Sequence, residues 1–291
     1  MDVIEFLRAK GLLDADAEAS AKPLTGGYWN AVSRVRADGV DWVCKVFAEE
    51  PPLTMFPILP DDEARALQEL RGLRVAPEFV AYFPAAADHA PVLVYEWVEG
   101  AQWEHGTAQV AEVFRRQHAV EVAGFREVPI ESEGMLAYGD RMAASVDTEE
   151  ATALLALRPT RAVGPCAHRV LLHTDAGTGN FIVGDDGPRL IDWQCPALGD
   201  AAEDLFTFLS PAFQVLYDHE PLTPAERAEF LDAYGDVDVL ARLDALWPAL
   251  TYRMGAYCVM RQVDLAESDP TGSARYARAV SLSLADLEAA R

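Results

Sequence analysis

Lysine is almost missing from this 291-residue chain: only Lys10, Lys22 and Lys45 occur, so the position of each is informative. Cysteine is as sparse. Cys44, Cys166, Cys195 and Cys258 lie far apart with no paired spacing, which signals neither a zinc site nor a disulfide framework, and they read as reduced thiols. No stretch approaches the roughly 18 consecutive apolar residues of a membrane helix. The start, Met1-Asp2-Val3-Ile4-Glu5, is acidic where a secretory signal is basic. The expectation is a cytoplasmic protein without a membrane partner. Basic charge is also scarce, with 24 Lys and Arg against 47 Asp and Glu and a formal net charge of −23. The imbalance is global, 9 basic against 17 acidic residues in 1–100 and 15 against 30 in 101–291. With no basic patch to meet a phosphate backbone, nucleic acid is not an expected partner. Such acidity favours solubility and steers cationic ligands.

What the chain does have is apolar residues, 51% of the total, enough for a sizeable core. A short opening helix is expected at about Val3 to Lys10. Residues 21–47 alternate apolar and polar around an Ala37-Asp38-Gly39 turn, the pattern of consecutive antiparallel strands. Asp61 and Asp62 supply N-cap chemistry for a helix through about Arg71, with Gly72 as its stop. Two more strands follow, around Glu78 to Phe83 and Val92 to Trp97. Beyond Glu104 the pattern turns helical: Thr107 to Val122, Leu136 to Leu157, Asp200 to Leu209, Thr223 to Tyr234, Val237 to Glu267 and Gly272 to Ala290. The exception is Val170 to Asp192, where two short apolar runs flank Gly184-Asp185-Asp186-Gly187 as a hairpin. These patterns predict an α+β chain in two lobes. Residues 1–99 form a small antiparallel sheet lobe with one main helix, and residues 100–291 form a larger, mostly helical lobe.

The densest chemistry lies in Leu171-Leu172-His173-Thr174-Asp175-Ala176-Gly177-Thr178-Gly179-Asn180, followed by Leu190-Ile191-Asp192-Trp193. Two carboxylates and an amide at the ends of short apolar runs are oxygen ligands of the kind that gather around a magnesium-bound phosphate. The spacing His-x-Asp-x-x-x-x-Asn, with a second Asp closing a strand a dozen residues later, matches the catalytic and metal-binding loops of kinases. Asp175 is placed to accept a hydroxyl proton, and Asn180 and Asp192 to hold metal. His173 suits a loop brace better than it suits chemistry. In the first lobe, Gly26 and Gly27 join two strands, where backbone N–H groups can approach phosphate oxygens. Lys45, inside the apolar run Trp42-Val43-Cys44-Lys45-Val46-Phe47, costs free energy unless it meets phosphate or a carboxylate. Glu63, one turn into the next helix, is its natural partner, with Glu69 as runner-up.

These residues resemble the aminoglycoside phosphotransferase and choline kinase-like family, small-molecule relatives of the protein kinases, over about Pro23 to Leu209. The resemblance implies a bilobal protein kinase-like fold and an ATP- and magnesium-dependent transfer of the γ-phosphoryl group to a hydroxyl of a small molecule. It gives Lys45 the α- and β-phosphates, Asp175 the role of base, and Asn180 and Asp192 the magnesium. The segment Leu93 to Gly100 looks like the family's hinge, with the main chain of Glu96 and Val98 on the adenine edge. Asp204 is read as a brace for the catalytic loop and Asp200 as a helix cap. Two departures stand out. Gln194 replaces a frequent acid, and Ala176-Gly177-Thr178-Gly179 is small where a bulkier apolar residue often follows the Asp.

The acceptor pocket is expected in the helical lobe. Glu203, Asp204 and Asp232 by charge, and Trp193, Trp247, Tyr252 and Tyr257 by cation–π contact, could recognise an ammonium group. The expected partner is therefore a hydroxylated, cationic small molecule such as an aminoglycoside, choline or a related amino alcohol. The alternatives are a pseudokinase that binds nucleotide without turnover and a protein kinase. The second is disfavoured because Asp-Phe-Gly is missing and no Ala-Pro-Glu follows Asp192 to bound an activation segment.

Overall fold

The structure is a computed structural model that describes residues 1–24, 30–48 and 54–291, so Gly26 and Gly27 lie outside the described residues. In chain order the elements begin with α1 (Val3–Ala9), β1 (Ala19–Pro23), β2 (Ala31–Ala37), β3 (Val40–Val46), α2 (Pro60–Glu69), β4 (Phe79–Phe83), β5 (Val92–Glu96), β6 (Ala101–Gln102) and α3 (Thr107–His118). They continue with α4 (Ser132–Ala143), α5 (Glu149–Ala156), β7 (Val170–Leu172), β8 (Phe181–Gly184), β9 (Gly187–Leu190) and β10 (Ala197–Gly199). The chain closes with α6 (Ala202–Leu209), α7 (Pro211–Leu216), α8 (Pro224–Tyr234), α9 (Val237–Leu265) and α10 (Pro270–Ala289). Two compact units result, Met1–Ala101 with Ile182–Pro196, and Gln102–Phe181 with Ala197–Arg291.

The first unit is built on an antiparallel sheet in the order β1-β2-β3-β5-β4. Register sorts its side chains, because residues directly opposite one another share a face. Ser33, Cys44 and Val94 are aligned across β2, β3 and β5, as are Val32, Lys45 and Leu93. On the Cys44 face, Val35, Cys44, Val92 and Val94 form a core with Phe6 and Leu7 of α1 and with Leu13. Helix α1 starts where the Asp2 carboxylate accepts the N–H groups of Ile4 and Glu5. Burial pushes the Cys44 thiol up to about 12, so it stays protonated beneath the sheet. The opposite face carries Lys45.

Helix α2 departs from the sequence reading at its start. Pro60 occupies its first position and Leu59 its cap, so Asp61 and Asp62 lie in the first turn rather than capping it. There they complement the helix dipole, and Asp61 also accepts the Tyr82 hydroxyl at 2.6 Å. The division into units also differs from a single cut near residue 100, because the hairpin β8–β9 and the segment after it join the first unit. Backbone bonds explain this: Leu190 N–H donates to Val75 and Leu59 N–H donates to Gln194, both at 2.9 Å. A hairpin read locally gives no sign of which sheet it will join.

In the second unit, α9 packs against α4 and α10. Its buried run from Ala249 to Met260 is apolar all round except for Thr251 and Arg253, as expected of a central helix. The single helix expected from Leu136 to Leu157 is two. Helix α4 ends at Ala143, and the Thr148 hydroxyl accepts the Ala151 N–H to begin α5. Helix α7 was not expected; Pro211 at its first position sets its start. Strands β7 and β10 pair antiparallel, with Leu171 opposite Leu198, and are too short to show a period. Among the described residues no helix is long and apolar enough to cross a membrane.

Leu7 is fully buried in the α1 core. Leu7→Ala is expected to destabilise the protein by about 2–5 kcal/mol, read from urea unfolding at constant m-value.

Candidate active site

In the first unit, Lys45 is the penultimate residue of β3 and is 2% exposed. Its Nζ donates to both oxygens of Glu63 at 2.9 and 2.7 Å and to Asp192 Oδ1 at 2.5 Å. Burial by itself would lower the Lys45 ammonium, but the Asp192 and Glu63 carboxylates outweigh it and hold the group above the usual lysine range. Burial pushes Glu63 up to about 7, against the pull of Lys45. One ammonium thus faces two carboxylates, and Asp192, 38% exposed, is the one open to solvent. Its backbone sits at φ +61, a left-handed conformation uncommon for a non-glycine residue. This arrangement suits a divalent cation: a hard oxygen donor in a cluster with more carboxylate than ammonium.

Gln194, two residues on, is a structural tie. Asn30 Nδ2 donates to Gln194 Oε1 at 3.0 Å, while Asn30 Oδ1 accepts the Ala48 N–H at 3.1 Å. At the end of β5, Glu96 N–H donates to the Glu78 carbonyl at 2.9 Å and is already committed. Trp97 is covered by the Arg34 guanidinium at 3.8 Å, and both bond Glu99. Gly100, at φ +154, and Gly184 are required by close approach. A Cβ on Gly100 would overlap the Val183 carbonyl, and one on Gly184 the Glu99 carbonyl.

In the second unit the loop from His173 to Asn180 leaves β7 and is organised by Asp204, which is wholly buried. The carboxylate accepts the N–H groups of His173 at 2.9 Å and Thr174 at 2.8 Å. Gln117 Nε2 donates to it at 2.6 Å, and His118 Nε2 lies 3.3 Å away. Burial alone would raise the Asp204 carboxyl, but the His118 hydrogen bond and charge, with the His173 contacts, hold it below the usual carboxylate range. Thr174 sits at φ +67, a strained conformation for a β-branched residue that costs on the order of 1–3 kcal/mol. The two amide bonds to Asp204 keep it there. His173 Nδ1 accepts the Asp175 N–H at 3.2 Å.

Asn180 closes the loop through a single helical turn, Thr178–Asn180. Its Nδ2 donates to the Asp175 carbonyl at 2.7 Å and to the Tyr217 hydroxyl at 3.3 Å, and the Tyr217 hydroxyl donates to Asp175 Oδ1 at 3.2 Å. Both amide hydrogens are thereby committed, which fixes the amide orientation and leaves Oδ1 as the group a metal could take.

The residues expected to meet a cationic acceptor are placed otherwise. Glu203 is buried and bonded to Arg253 at 2.8 Å. Asp232 is on the exposed side of α8. Trp193 belongs to the first unit, fully buried, with its indole donating to the Leu190 carbonyl at 2.8 Å. The Trp247 ring is covered by the Arg227 guanidinium at 4.2 Å, and the Tyr252 hydroxyl donates to Asp140. Charge attraction operates here, but toward the protein's own cations. Among the described residues no group of three or more His, Cys, Asp or Glu forms a metal site. Gln117, His118 and Tyr217 escaped the sequence reading, since they lie far along the chain from the loop they touch. Only the small residues of the loop hinted that something fills the space beside it.

Asp204 is depressed in the folded state, so its stabilising contribution is present above the usual carboxylate range, about pH 4, and is lost as pH falls through its folded value. Thermal unfolding of Asp204→Asn followed into acid is expected to show a lower melting temperature at neutral pH and a flatter acid limb than the parent.

The sequence profile described as phosphotransferase enzyme family matches residues 20–246. A search of curated protein sequences finds no match. Among solved structures, a choline/ethanolamine kinase family protein from Mesorhizobium loti is similar at a TM-score of 0.60 and 20% identity, covering 98% of each chain. Choline kinase from Cryptosporidium parvum gives 0.64 at 16% identity, covering 98% of this chain and 96% of that one. A spectinomycin phosphotransferase in complex with ADP and spectinomycin gives 0.64 at 13% identity, covering 98% and 97%. These likenesses show a protein kinase-like α+β fold. With its profile match spanning most of the sequence, the chain belongs to the phosphotransferase enzyme family and is a small-molecule phosphotransferase.

Proposed function

We propose that this enzyme uses ATP and magnesium to phosphorylate a hydroxyl of a cationic small molecule, an aminoglycoside, choline or a related amino alcohol. The observation that carries the nucleotide half is Lys45, a buried ammonium held by Glu63 and by Asp192, whose carboxylate stays 38% exposed beside it. Lys45 takes the α- and β-phosphates, and Glu63 keeps its ammonium in place. The carbonyl of Glu96 and the main chain of Val98 take the adenine edge. Gly26 and Gly27, outside the described residues, offer amides to the phosphates.

Asp192 and Asn180 supply the protein oxygens for magnesium, which favours a few carboxylate or amide ligands together with phosphates and water. Bound magnesium would offset the charge of the phosphates during transfer. Asp175 accepts the proton of the attacking hydroxyl. His173 and Asp204 hold the loop that presents it. The cationic acceptor is supported by the net charge of −23 and by the choline kinases among the structural neighbours.

A mass-spectrometric screen for ATP-dependent mass gain across amino alcohols, aminoglycosides and sugars tests this. Phosphorylated cations are expected, and a screen in which only neutral sugars react would overturn the acceptor class. Asp175→Asn should keep the thermal shift given by Mg-ATP while lowering turnover by about 100-fold or more. Asp192→Ala should lose the magnesium-dependent part of that shift. Full turnover in Asp175→Asn would remove Asp175 as the base.

A further inference from the structure

Tyr217 follows the last residue of α7, 37 residues beyond Asn180, and is bound to the catalytic loop in two ways. Its ring lies on Gly177 and Gly179, so closely that a Cβ on either would overlap ring carbons. Its hydroxyl donates to Asp175 Oδ1 at 3.2 Å and accepts from Asn180 Nδ2 at 3.3 Å. A phenol in this position makes the contact that an attacking alcohol makes with its base, an O–H directed at a carboxylate oxygen. The two glycines are what allow it, since any larger residue at 177 or 179 would push the ring away.

We propose that Tyr217 is a specificity-determining cap on Asp175 that discriminates between an alcohol acceptor and water. The inference rests on Asp175 being the base. In the absence of acceptor the phenol occupies Oδ1 and the ring covers the loop, so a water molecule meets a base already holding a hydrogen bond. An acceptor bound through other contacts brings its hydroxyl with enough binding energy to replace two ordinary hydrogen bonds. A lone water has no such second attachment. Removing the cap opens a side reaction. The water oxygen bonds to the γ-phosphorus, its proton passes to Asp175, the bond to the β–γ bridging oxygen breaks, and ADP and phosphate leave.

The test is ADP release from Mg-ATP with no acceptor added, in the full-length chain. Tyr217→Phe keeps the ring and deletes the hydroxyl. It should raise hydrolysis at least about fivefold, a fraction of what a freed general base supplies. Gly179→Ala, which displaces the ring, should raise it as well. The double variant Asp175→Asn, Tyr217→Phe should fall to the rate of Asp175→Asn alone. Equal or slower hydrolysis in Tyr217→Phe, with its melting temperature and Mg-ATP thermal shift preserved, overturns the cap and leaves the proposed activity standing. Absence of an Mg-ATP thermal shift in the unaltered protein overturns the proposed activity and the cap with it.

Discussion

One ammonium organises the first unit. Lys45 draws together a central strand, helix α2 and the segment after β9, three pieces separated by as many as 147 positions. A charge at 2% exposure is tolerated only because two carboxylates meet it. Removing Lys45 would leave Glu63 as an uncompensated buried anion, so the sheet, α2 and the turn carrying Asp192 are constrained by the same electrostatic requirement. One of the two carboxylates, that of Asp192, stays accessible, and the proposed function places cation and phosphate there.

The second unit solves a similar problem with the opposite sign. Asp204 is a buried anion that, among the described residues, has no lysine or arginine against it; main-chain amides, an amide side chain and a histidine satisfy it instead. Spending its acceptors on two successive amides forces the loop through a left-handed threonine, and that bend sets the direction of the residue that follows, Asp175. A helix-start acid and a strained backbone are therefore parts of one device, with strain at the loop offset by hydrogen bonds beneath it.

Much of this was legible in the sequence where the signal is local or chemically costly. Alternation between residues 21 and 47 exposed the first strands, and a lysine within Trp42 to Phe47 demanded a partner, which the structure supplies as Glu63. The loop residues His173, Asp175 and Asn180 were readable from spacing. What was not readable depends on distant packing. No local pattern tells that β8 and β9 join the first sheet unit, that Arg253 neutralises Glu203, or that Arg227 covers Trp247. An acidic or aromatic side chain looks available until the three-dimensional neighbour that occupies it is known. Tyr217 is the same lesson reversed, since glycines at 177 and 179 mark the space its ring fills without naming the filler.

The first unit is discontinuous, made of residues Met1–Ala101 and Ile182–Pro196. As the chain leaves the ribosome, the residues of the strands and α2 emerge first, Lys45 and Glu63 among them, and Asp192 follows only after the whole first stretch of the second unit, Gln102–Phe181, has been synthesised. The residues of the sheet and of the α1 core are thus available early, whereas the cluster of Lys45, Glu63 and Asp192 is completed late. Genetic truncation at the sheet's end would give a fragment with the lysine and without its solvent-facing carboxylate. Order of synthesis thus separates the acquisition of fold from the acquisition of chemistry in this unit.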